Sequence, residues 1–309
     1  MYTDTASLSP NLSIGVLRGG PSLEYENSLK SGEHILRYLN ETHRPLDIFI
    51  SRDGVWHIRG VPRSPERILK QIDVIFNALH GSFGEDGGVQ EILNTHGALY
   101  TGSNKLSSGL AMNKWLTKER AKVLGIKTPI SVLVRPEDII NEKIREIFNS
   151  IPYPLIVKPA TGGWSKGLHI VKSSGELEPA LLSVLSSHPL ALVEEKISGK
   201  DVSCLVTDDF REQKTYAFPP IGQSDKTVLS KVEKETIENV TKKIHQELGL
   251  SHYSESDFIV SPRRGVYFLE VNTLPDISEK SSLIKSLETV GVGIKEFLYH
   301  LLSLALNKK

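Results

Sequence analysis

The sequence has a single cysteine, Cys204, among 309 residues. An internal disulfide needs two cysteines and a zinc–thiolate cluster needs several, so both are excluded. An excess of charge is also missing, because Lys+Arg and Asp+Glu both number 37 and the formal net charge is zero. General nucleic-acid binders and proteins that bind anionic membranes usually carry excess positive charge, so the composition argues against both classes.

Long hydrophobic runs are absent as well. The most apolar stretch, Phe297 to Leu306, is interrupted by His300 and is too short to span a bilayer. Residues 1–11 are polar and show no signal-peptide pattern. We therefore expect a soluble cytoplasmic protein without a nucleic-acid or membrane partner. Because 39% of the residues are hydrophobic, the chain can fill two or three packed domains.

The first hundred residues show the pattern of an α/β domain. An apolar run, Leu12 to Leu17, leads through a glycine turn into a helical pattern that begins near Glu24. A buried strand predicted at Val74 to Ala78 leads into a second glycine-rich loop that contains His80. Such a loop at the carboxyl end of a strand is where open α/β sheets bind ligands. His80 is thus a candidate site residue, although a lone histidine is more often structural.

The middle of the chain combines lysines with a glycine loop. A helix predicted at Asn113 to Leu124 carries Lys114 and Lys118, and a strand at Leu155 to Pro159 ends in Lys158. The glycine-rich segment that follows, 160–167, lies between this strand and a returning one, so its backbone N–H groups could hold phosphates. It does not contain the G-x-x-x-x-G-K-[ST] motif of a P-loop. The alternative is an ordinary flexible hairpin.

Two neighbouring β-rich segments carry oxygen ligands. The turn 261–265 joins Ser256–Val260 to Phe268–Asn272, which predicts an antiparallel hairpin. Glu270 and Asn272 share one face of their strand because successive side chains alternate, and Asp257 can lie beside them. Two carboxylates and an amide oxygen suit Mg²⁺ and not zinc. The alternative is a hairpin with a solvated polar face.

The order and spacing of these motifs resemble the D-alanine–D-alanine ligases of the ATP-grasp superfamily, from about Leu12 to about Leu306. The most specific pieces are Gly19–Glu26 with Ser31-Gly32, His80–Gly87, Tyr100–Ser103, Ala111–Lys114, Val157–Pro159 and Glu270–Pro275. The resemblance implies an α/β (α+β) ATP-grasp fold with three domains. These are a Rossmann-like domain at 1–103, a central subdomain at 104–190 and a C-terminal subdomain with the metal site at 191–309. It also implies a homodimer.

The resemblance further implies a role for each matching position. ATP contacts fall on Lys114, Lys158, Gly163, Glu194, Glu195, Ile197 and Asp201, with the two lysines on the phosphates and Asp201 on the ribose. Mg²⁺ or Mn²⁺ falls on Asp257, Glu270 and Asn272. Substrate-side and catalytic positions are Glu24, which holds the first substrate's ammonium group, His80, Ser165 on the phosphate-covering hairpin, and Ser281 or Ser282 at the second substrate's carboxylate.

The chemistry implied is ligation of D-alanine, or of a related amino acid pair, through an acylphosphate. Lysines and Mg²⁺ offset charge on the phosphoryl group that is transferred, which is where catalysis mostly lies in such reactions.

The chain departs from the family pattern in four ways. Trp164-Ser165 replaces paired serines, Glu255 replaces an arginine, and Asp276 replaces a glycine. The lid loop is missing, because the chain runs from Phe218 almost directly to the helix near Val228. For Glu255, either its side chain turns away, or Arg263, Arg264 or Lys280 compensates, or the chemistry differs.

These departures leave two other functions open. One is a ligase for other carboxylate and amine substrates. The other is a catalytically weak, nucleotide-binding homologue with a regulatory or scaffolding role. The intact lysines and metal-site residues favour an enzyme, because a scaffold has no need for them.

Overall fold

The structure is a computed structural model and describes residues 8–9, 11–139, 141–162, 167–224 and 226–307. In these residues three β-sheets follow one another along the chain, with six, four and five strands. The predicted ATP-grasp architecture is confirmed by the similarity to solved structures given below.

The first sheet is the α/β domain expected from the opening residues. Its elements are β1 (Ile14–Gly19), α1 (Tyr25–Leu39), β2 (Leu46–Ile50), β3 (Trp56–Ile58), β4 (Val61–Pro62), α2 (Pro65–Leu69), β5 (Val74–Asn77), α3 (Gly88–Thr95) and β6 (Leu99–Tyr100). The strand order is β4-β3-β2-β1-β5-β6, and β1 lies parallel to both β2 and β5. The carboxyl ends of β1 and β5 are therefore neighbours, which brings Glu24 and His80 to the same edge.

Two helices connect this sheet to the second one. The segment interpreted from sequence as a crossing between domains, Ser103 to Gly109, contains the start of α4 (Lys105–Met112), and α5 (Lys114–Val123) follows at once. Each helix has an asparagine cap: the side chain of Asn104 accepts from the N–H of Ser107 at 2.9 Å, and that of Asn113 accepts from Leu116 at 3.1 Å. Asparagine caps satisfy N–H groups that a helix start leaves unpaired.

The second sheet contains four antiparallel strands in the order β7-β10-β8-β9. Its elements are β7 (Ser131–Val134), α6 (Asn141–Ser150), β8 (Leu155–Pro159), β9 (His169–Val171), α7 (Ser174–Leu185) and β10 (Ala191–Glu195). A short 3-10 turn at Pro136–Asp138 precedes α6, and the Asp138 carboxylate closes it by accepting from the N–H of Arg135 at 2.8 Å.

The third sheet carries the predicted metal hairpin. Its elements are β11 (Lys200–Phe210), β12 (Gln213–Ala217), β13 (Ile221–Gly222), α8 (Lys231–Glu247), β14 (Tyr253–Ser261), β15 (Gly265–Asn272), α9 (Ser282–Thr289) and α10 (Ile294–Leu306). The strand order is β12-β11-β14-β15, and β13 also pairs with β11. Strands β14 and β15 are antiparallel, as the hairpin prediction required.

The last helix packs on the first sheet. Phe297, Leu298 and Leu301 of α10 are fully buried in one core with Val16 and Phe76 of β1 and β5. Among the described residues no single helix is long and apolar enough to cross a membrane; α9 and α10 pass that test only as a pair, bent by 102°. The domain boundaries at 103/104 and 190/191 stay a prediction, and β10 hydrogen-bonds within the second sheet.

Candidate active site

A cavity of about 1010 Å³ lies between the second and third sheets. Side chains from β8, β10, β11, β14 and β15 contribute to its wall. The predicted site residues that line it are Glu24, Lys114, Lys158, Glu194, Glu195, Ile197, Asp201, Asp257 and Glu270. Positions distant in the sequence thus converge on one space, whose size suits a small organic ligand.

The register of β14 and β15 decides which side chains share one face of the sheet, and of the four that do, Asp257 and Glu270 line the cavity. Asp257 lies opposite Glu270, and Glu255 lies opposite Asn272. All four therefore share one face of the sheet. The Asp257 carboxylate accepts hydrogen bonds from the hydroxyl of Ser203 at 2.7 Å and from the amide nitrogen of Asn272 at 3.3 Å.

The two carboxylates on this face differ in their neighbouring charges: Glu270 lies next to lysines, whereas Asp257 lies next to Glu270. Burial raises the pKa of Glu270, but Lys114, 2.8 Å from its Oε2 atom, and Lys158 together lower that pKa to about 2. Burial and the neighbouring Glu270 raise the pKa of Asp257 to about 7. A cation between Asp257 and Glu270 would remove this repulsion.

The donor set fits a hard divalent cation. It contains two carboxylates and an amide oxygen, the ligand type that Mg²⁺ prefers. Among the described residues, no group of three or more His, Cys, Asp or Glu side chains is placed to hold a metal ion.

Three lysines lie near this face, on α5 and β8. Lys114 begins α5 and also donates to the carbonyl oxygen of Gly162 at 2.7 Å. Lys158 of β8 and Lys118 of α5 both contact Glu194, at 2.5 Å and 3.1 Å from its two carboxylate oxygens. Burial lowers the pKa of Lys118 to about 8, with Glu194 acting in the opposite direction. The sequence interpretation gave Lys118 no role.

Residues 194–197, which the resemblance assigns to ATP, are held in place by contacts of Glu195. The Glu195 carboxylate accepts two hydrogen bonds from the guanidinium group of Arg264, at 2.7 and 3.0 Å, and one from the N–H of Ile130 at 3.1 Å. Its side chain is 2% exposed, so it mainly holds the strand in place. Ile197 is buried on the cavity wall, and Asp201 is exposed at the cavity's edge.

Glu24 lies at the end of the cavity near the first sheet, beside a second carboxylate. A Cβ atom on Gly81 would lie 2.7 Å from Glu24 Oε1, so glycine is what allows Glu24 this position. Glu85 accepts from the N–H of Gly81 at 2.8 Å. Burial and then Glu24 raise the pKa of Glu85 to about 8. Glu24 lines the cavity and fits a bound ammonium group, and Glu85, which is not part of the lining, adds a second carboxylate beside it. The sequence interpretation assigned only Glu24 to this group.

His80 does not line the cavity but is buried beside it. Its Nδ1–H donates to the carbonyl oxygen of Leu274 at 2.9 Å, and its Nε2 atom lies 2.8 Å from the hydroxyl of Ser31. The same hydroxyl donates to the Asp276 carboxylate at 2.9 Å. Burial lowers the pKa of His80. Asp276 therefore ties the loop after β15 to α1.

Glu255 keeps its carboxylate on the metal-site face. The hydroxyl of Ser282 donates to it at 2.7 Å, and burial followed by the neighbouring Asp257 raises its pKa to about 8. Arg264 is bound to Glu195 instead, so this arginine does not compensate Glu255. The adjacent Ser281 caps α9 by accepting from the N–H of Ile284 at 3.3 Å.

Part of the predicted phosphate-covering hairpin lies outside the described residues. Gly163, Trp164 and Ser165 belong to that part, so their predicted contributions stay predictions. Where the lid was expected to be missing, β13 pairs with β11 soon after β12 ends. Gln223 then donates to Ser203 at 3.0 Å, and α8 begins at Lys231.

The three sheets and the cavity define an ATP-grasp protein, and solved structures agree. The chain superimposes with a TM-score of 0.87 on the D-alanine–D-alanine ligase from Coxiella burnetii, at 26% identity and covering 96% of each chain. It superimposes with a TM-score of 0.79 on the D-alanine–D-alanine ligase from Bacillus anthracis complexed with ATP, at 27% identity and covering 96% of this chain and 97% of the other.

Sequence comparison then specifies the family. The family model described as D-ala D-ala ligase C-terminus matches residues 121–221 and 221–303, and that described as D-ala D-ala ligase N-terminus matches residues 58–103. A relative named D-alanine–D-alanine ligase, from Fervidobacterium nodosum, is 34% identical over 92% of this chain and 96% of its own length. The chain belongs to the D-alanine–D-alanine ligase family.

Proposed function

We propose that the protein is an ATP-dependent ligase that joins two D-alanine molecules for peptidoglycan precursor synthesis. The observation that carries this proposal is the meeting of Lys114, Lys158 and the Asp257–Glu270 pair in one cavity that also reaches Glu24. Such a site holds a cationic group for phosphates at one end and an anionic group for an ammonium at the other. Relatives of the same family support the substrate assignment.

In the proposed reaction the carboxylate of the first D-alanine takes the γ-phosphoryl group of ATP. Glu24, with Glu85 beside it, holds that molecule's ammonium group, so its carboxylate is directed toward the phosphates. Lys114 and Lys158 offset the negative charge of the phosphoryl group. The amine of the second D-alanine then attacks the acylphosphate, the new amide bond forms, and phosphate leaves.

Asp257, Glu270 and Asn272 would hold Mg²⁺, or Mn²⁺, whose chemistry is to offset charge on the phosphate oxygens. Glu195 and Arg264 keep the segment that ends at Ile197 in place for adenine, and Asp201 receives the ribose. Gly163 and Ser165 would cover the phosphates. The Ser281–Ser282 segment receives the second substrate, with His80 near the first. We further propose that the protein is a homodimer and acts in the cytoplasm.

The proposal is tested by incubating the protein with ATP, Mg²⁺ and a panel of D- and L-amino acids, and identifying the products by mass. D-alanyl-D-alanine, formed together with ADP and phosphate, is the expected result. A different ligation product would support the ligase chemistry but with other substrates. Nucleotide binding without phosphate release for any amino acid would contradict the proposal and favour a non-catalytic homologue.

A further inference from the structure

Glu194 is shared by two lysines inside the protein. Its side chain is 2% exposed, that of Lys158 is 10% exposed, and that of Lys118 is fully buried. Lys158 and Glu194 line the cavity, whereas Lys118 lies behind Glu194, on the helix that also carries Lys114. The three groups together carry one excess positive charge.

The two lysines contact Glu194 differently. Lys158 lies 2.5 Å from Glu194 Oε1, a close charge-assisted contact. Lys118 lies 3.1 Å from Glu194 Oε2, a longer contact, and its charge lowers the pKa of Glu194 more than any other neighbouring group does. Lys118 therefore acts on Glu194 mainly through its charge.

We propose that Lys118 is a positioning residue that stays with Glu194 as its counter-ion when Lys158 turns to the phosphates of ATP. The inference rests on the proposed role of Lys158 in phosphate binding. A bound phosphate would compete with Glu194 for the ammonium group of Lys158, which lies 2.5 Å from Glu194 Oε1. A buried carboxylate that loses its partner is strongly destabilised. Because Lys118 remains, Glu194 is never left as an isolated buried charge.

The charges of the cluster support this division of roles. Burial raises the pKa of Glu194, but Lys118 and then Lys158 reverse that effect and leave it lowered. Burial lowers the pKa of Lys158, and Glu194 and Glu270 more than offset this. Glu194 thus stays ionised while both lysines are near it, and removal of Lys118 would leave Lys158 as its counter-ion. Lys158 would then be less available to the nucleotide.

The experiment compares binding of Mg²⁺–ATP and of adenosine by calorimetry, using the intact protein. Lys118→Met should weaken ATP binding at least about tenfold while changing adenosine binding less than about threefold. The ratio of the two dissociation constants isolates the phosphate part of the nucleotide. Lys122→Met is the matched control, since Lys122 lies one turn further along the same helix, is half exposed and pairs with Glu119.

A second variant separates charge from packing. Glu194→Gln added to Lys118→Met should restore the ATP-to-adenosine ratio, because a neutral side chain no longer retains Lys158. Lys118→Arg, which keeps the positive charge, should preserve the ratio if the variant folds. Thermal denaturation of each variant reports whether it folds.

Two outcomes would overturn the inference. Suppose that Lys118→Met weakens the binding of ATP and of adenosine by equal factors, and that adding Glu194→Gln does not restore binding. Lys118 would then serve only to hold α5 against β10. If Lys118→Met leaves both affinities unchanged, Glu194 does not need a second counter-ion. Failure of the wild-type protein to bind ATP would refute the proposed function itself, and this inference with it.

Discussion

Lys114 and Glu270 form an ion pair of 2.8 Å that joins the start of α5 to β15. The pair places a lysine against a carboxylate that the family resemblance assigns to the metal. With a divalent cation bound, Glu270 would be shared between Lys114 and the metal, and the repulsion between Asp257 and Glu270 would be relieved. The carboxylate charge of Glu270 is thus central to metal-dependent nucleotide binding.

Glu270→Gln should weaken Mg²⁺-dependent ATP binding by at least about tenfold, because a charged oxygen ligand is lost. Calorimetry with ATP in Mg²⁺ and in a chelator measures the effect. Glu279→Gln, at an exposed glutamate outside the cavity, is the control. Equal Mg²⁺ dependence in the wild type and Glu270→Gln would remove Glu270 from the metal site.

Glu85 should make stability fall as pH rises. Its pKa is about 8 in the folded protein and 4.5 ordinarily, so between these values the folded state binds the proton more tightly than the unfolded state. Stability from this group is therefore complete below about pH 4.5 and is lost as pH rises toward about 8. Glu85→Gln cannot titrate, so its melting temperature should fall less than that of the wild type across this window.

Melting temperatures at about pH 5 and about pH 8, measured for both proteins, test this sign. Glu255 and Asp257 have raised pKa values too, so the comparison uses the difference between wild type and Glu85→Gln. If the melting temperature of Glu85→Gln falls as steeply with pH as that of the wild type, Glu85 does not contribute to the pH dependence of stability. Addition of D-alanine should reduce the difference, because its ammonium group stabilises ionised Glu85.

Arg264 should affect the adenine end of the site and not the phosphate end. Arg264→Ala removes both guanidinium hydrogen bonds to the buried Glu195 carboxylate, which loosens the strand end before Ile197. We expect ATP and adenosine to bind several-fold more weakly by the same factor. Arg263→Ala, at the adjacent exposed position, is the control. A loss confined to ATP would contradict this assignment.

Gly19 should be required for folding of the first sheet. Its φ is +91°, and a Cβ atom there would lie 2.2 Å from the carbonyl oxygen of Ile50, which is backbone and cannot rotate away. Gly19→Ala should therefore cost more than about 3 kcal/mol. Gly54 has φ +84° and nothing within 4 Å of its Cβ position, so Gly54→Ala should cost only about 1–2 kcal/mol. Chemical denaturation measures both, and equal costs would contradict the argument.

Local patterns predicted the elements that carry the site. The hairpin with Asp257 and Glu270 followed from alternation along two short strands, and its pairing is confirmed. The helix α7 was missed because Gly175 near its start and Pro179 inside it weaken the helical pattern. The missed helix is a failure of the local sequence pattern, which tertiary packing overrides.

Contacts between distant residues had no local signal at all. Ser31 and Asp276 are 245 positions apart, and Glu195 and Arg264 are 69 apart. The pairing of Lys118 with Glu194 likewise depends on how α5 packs against the second sheet. Alternation and periodicity place a side chain on a face, and only the folded structure shows which groups share that space.

The last prediction concerns the lid. The described part of the segment after β12 is paired with β11: Ile221 and Gly222 lie opposite Ser203 and Val202, and Gln223 lines the cavity wall. Gln223 donates to Ser203, whose hydroxyl donates to Asp257. This segment is therefore attached to β11, the strand next to β14, whereas a closing loop would need to move freely. An acylphosphate formed here would be more exposed to water than under a closed lid.

Water should then compete with the second amine, and phosphate should be released in excess of dipeptide. We expect the excess to shrink as the second substrate is raised, because amine and water compete for one intermediate. Trp164→Ser should increase the excess if the indole of Trp164 serves as a partial cover, and Trp115→Ser, at a tryptophan outside the cavity lining, is the control. Parallel assays of phosphate and dipeptide measure the ratio. Equal yields in wild type and both variants would show that the acylphosphate is shielded without a lid.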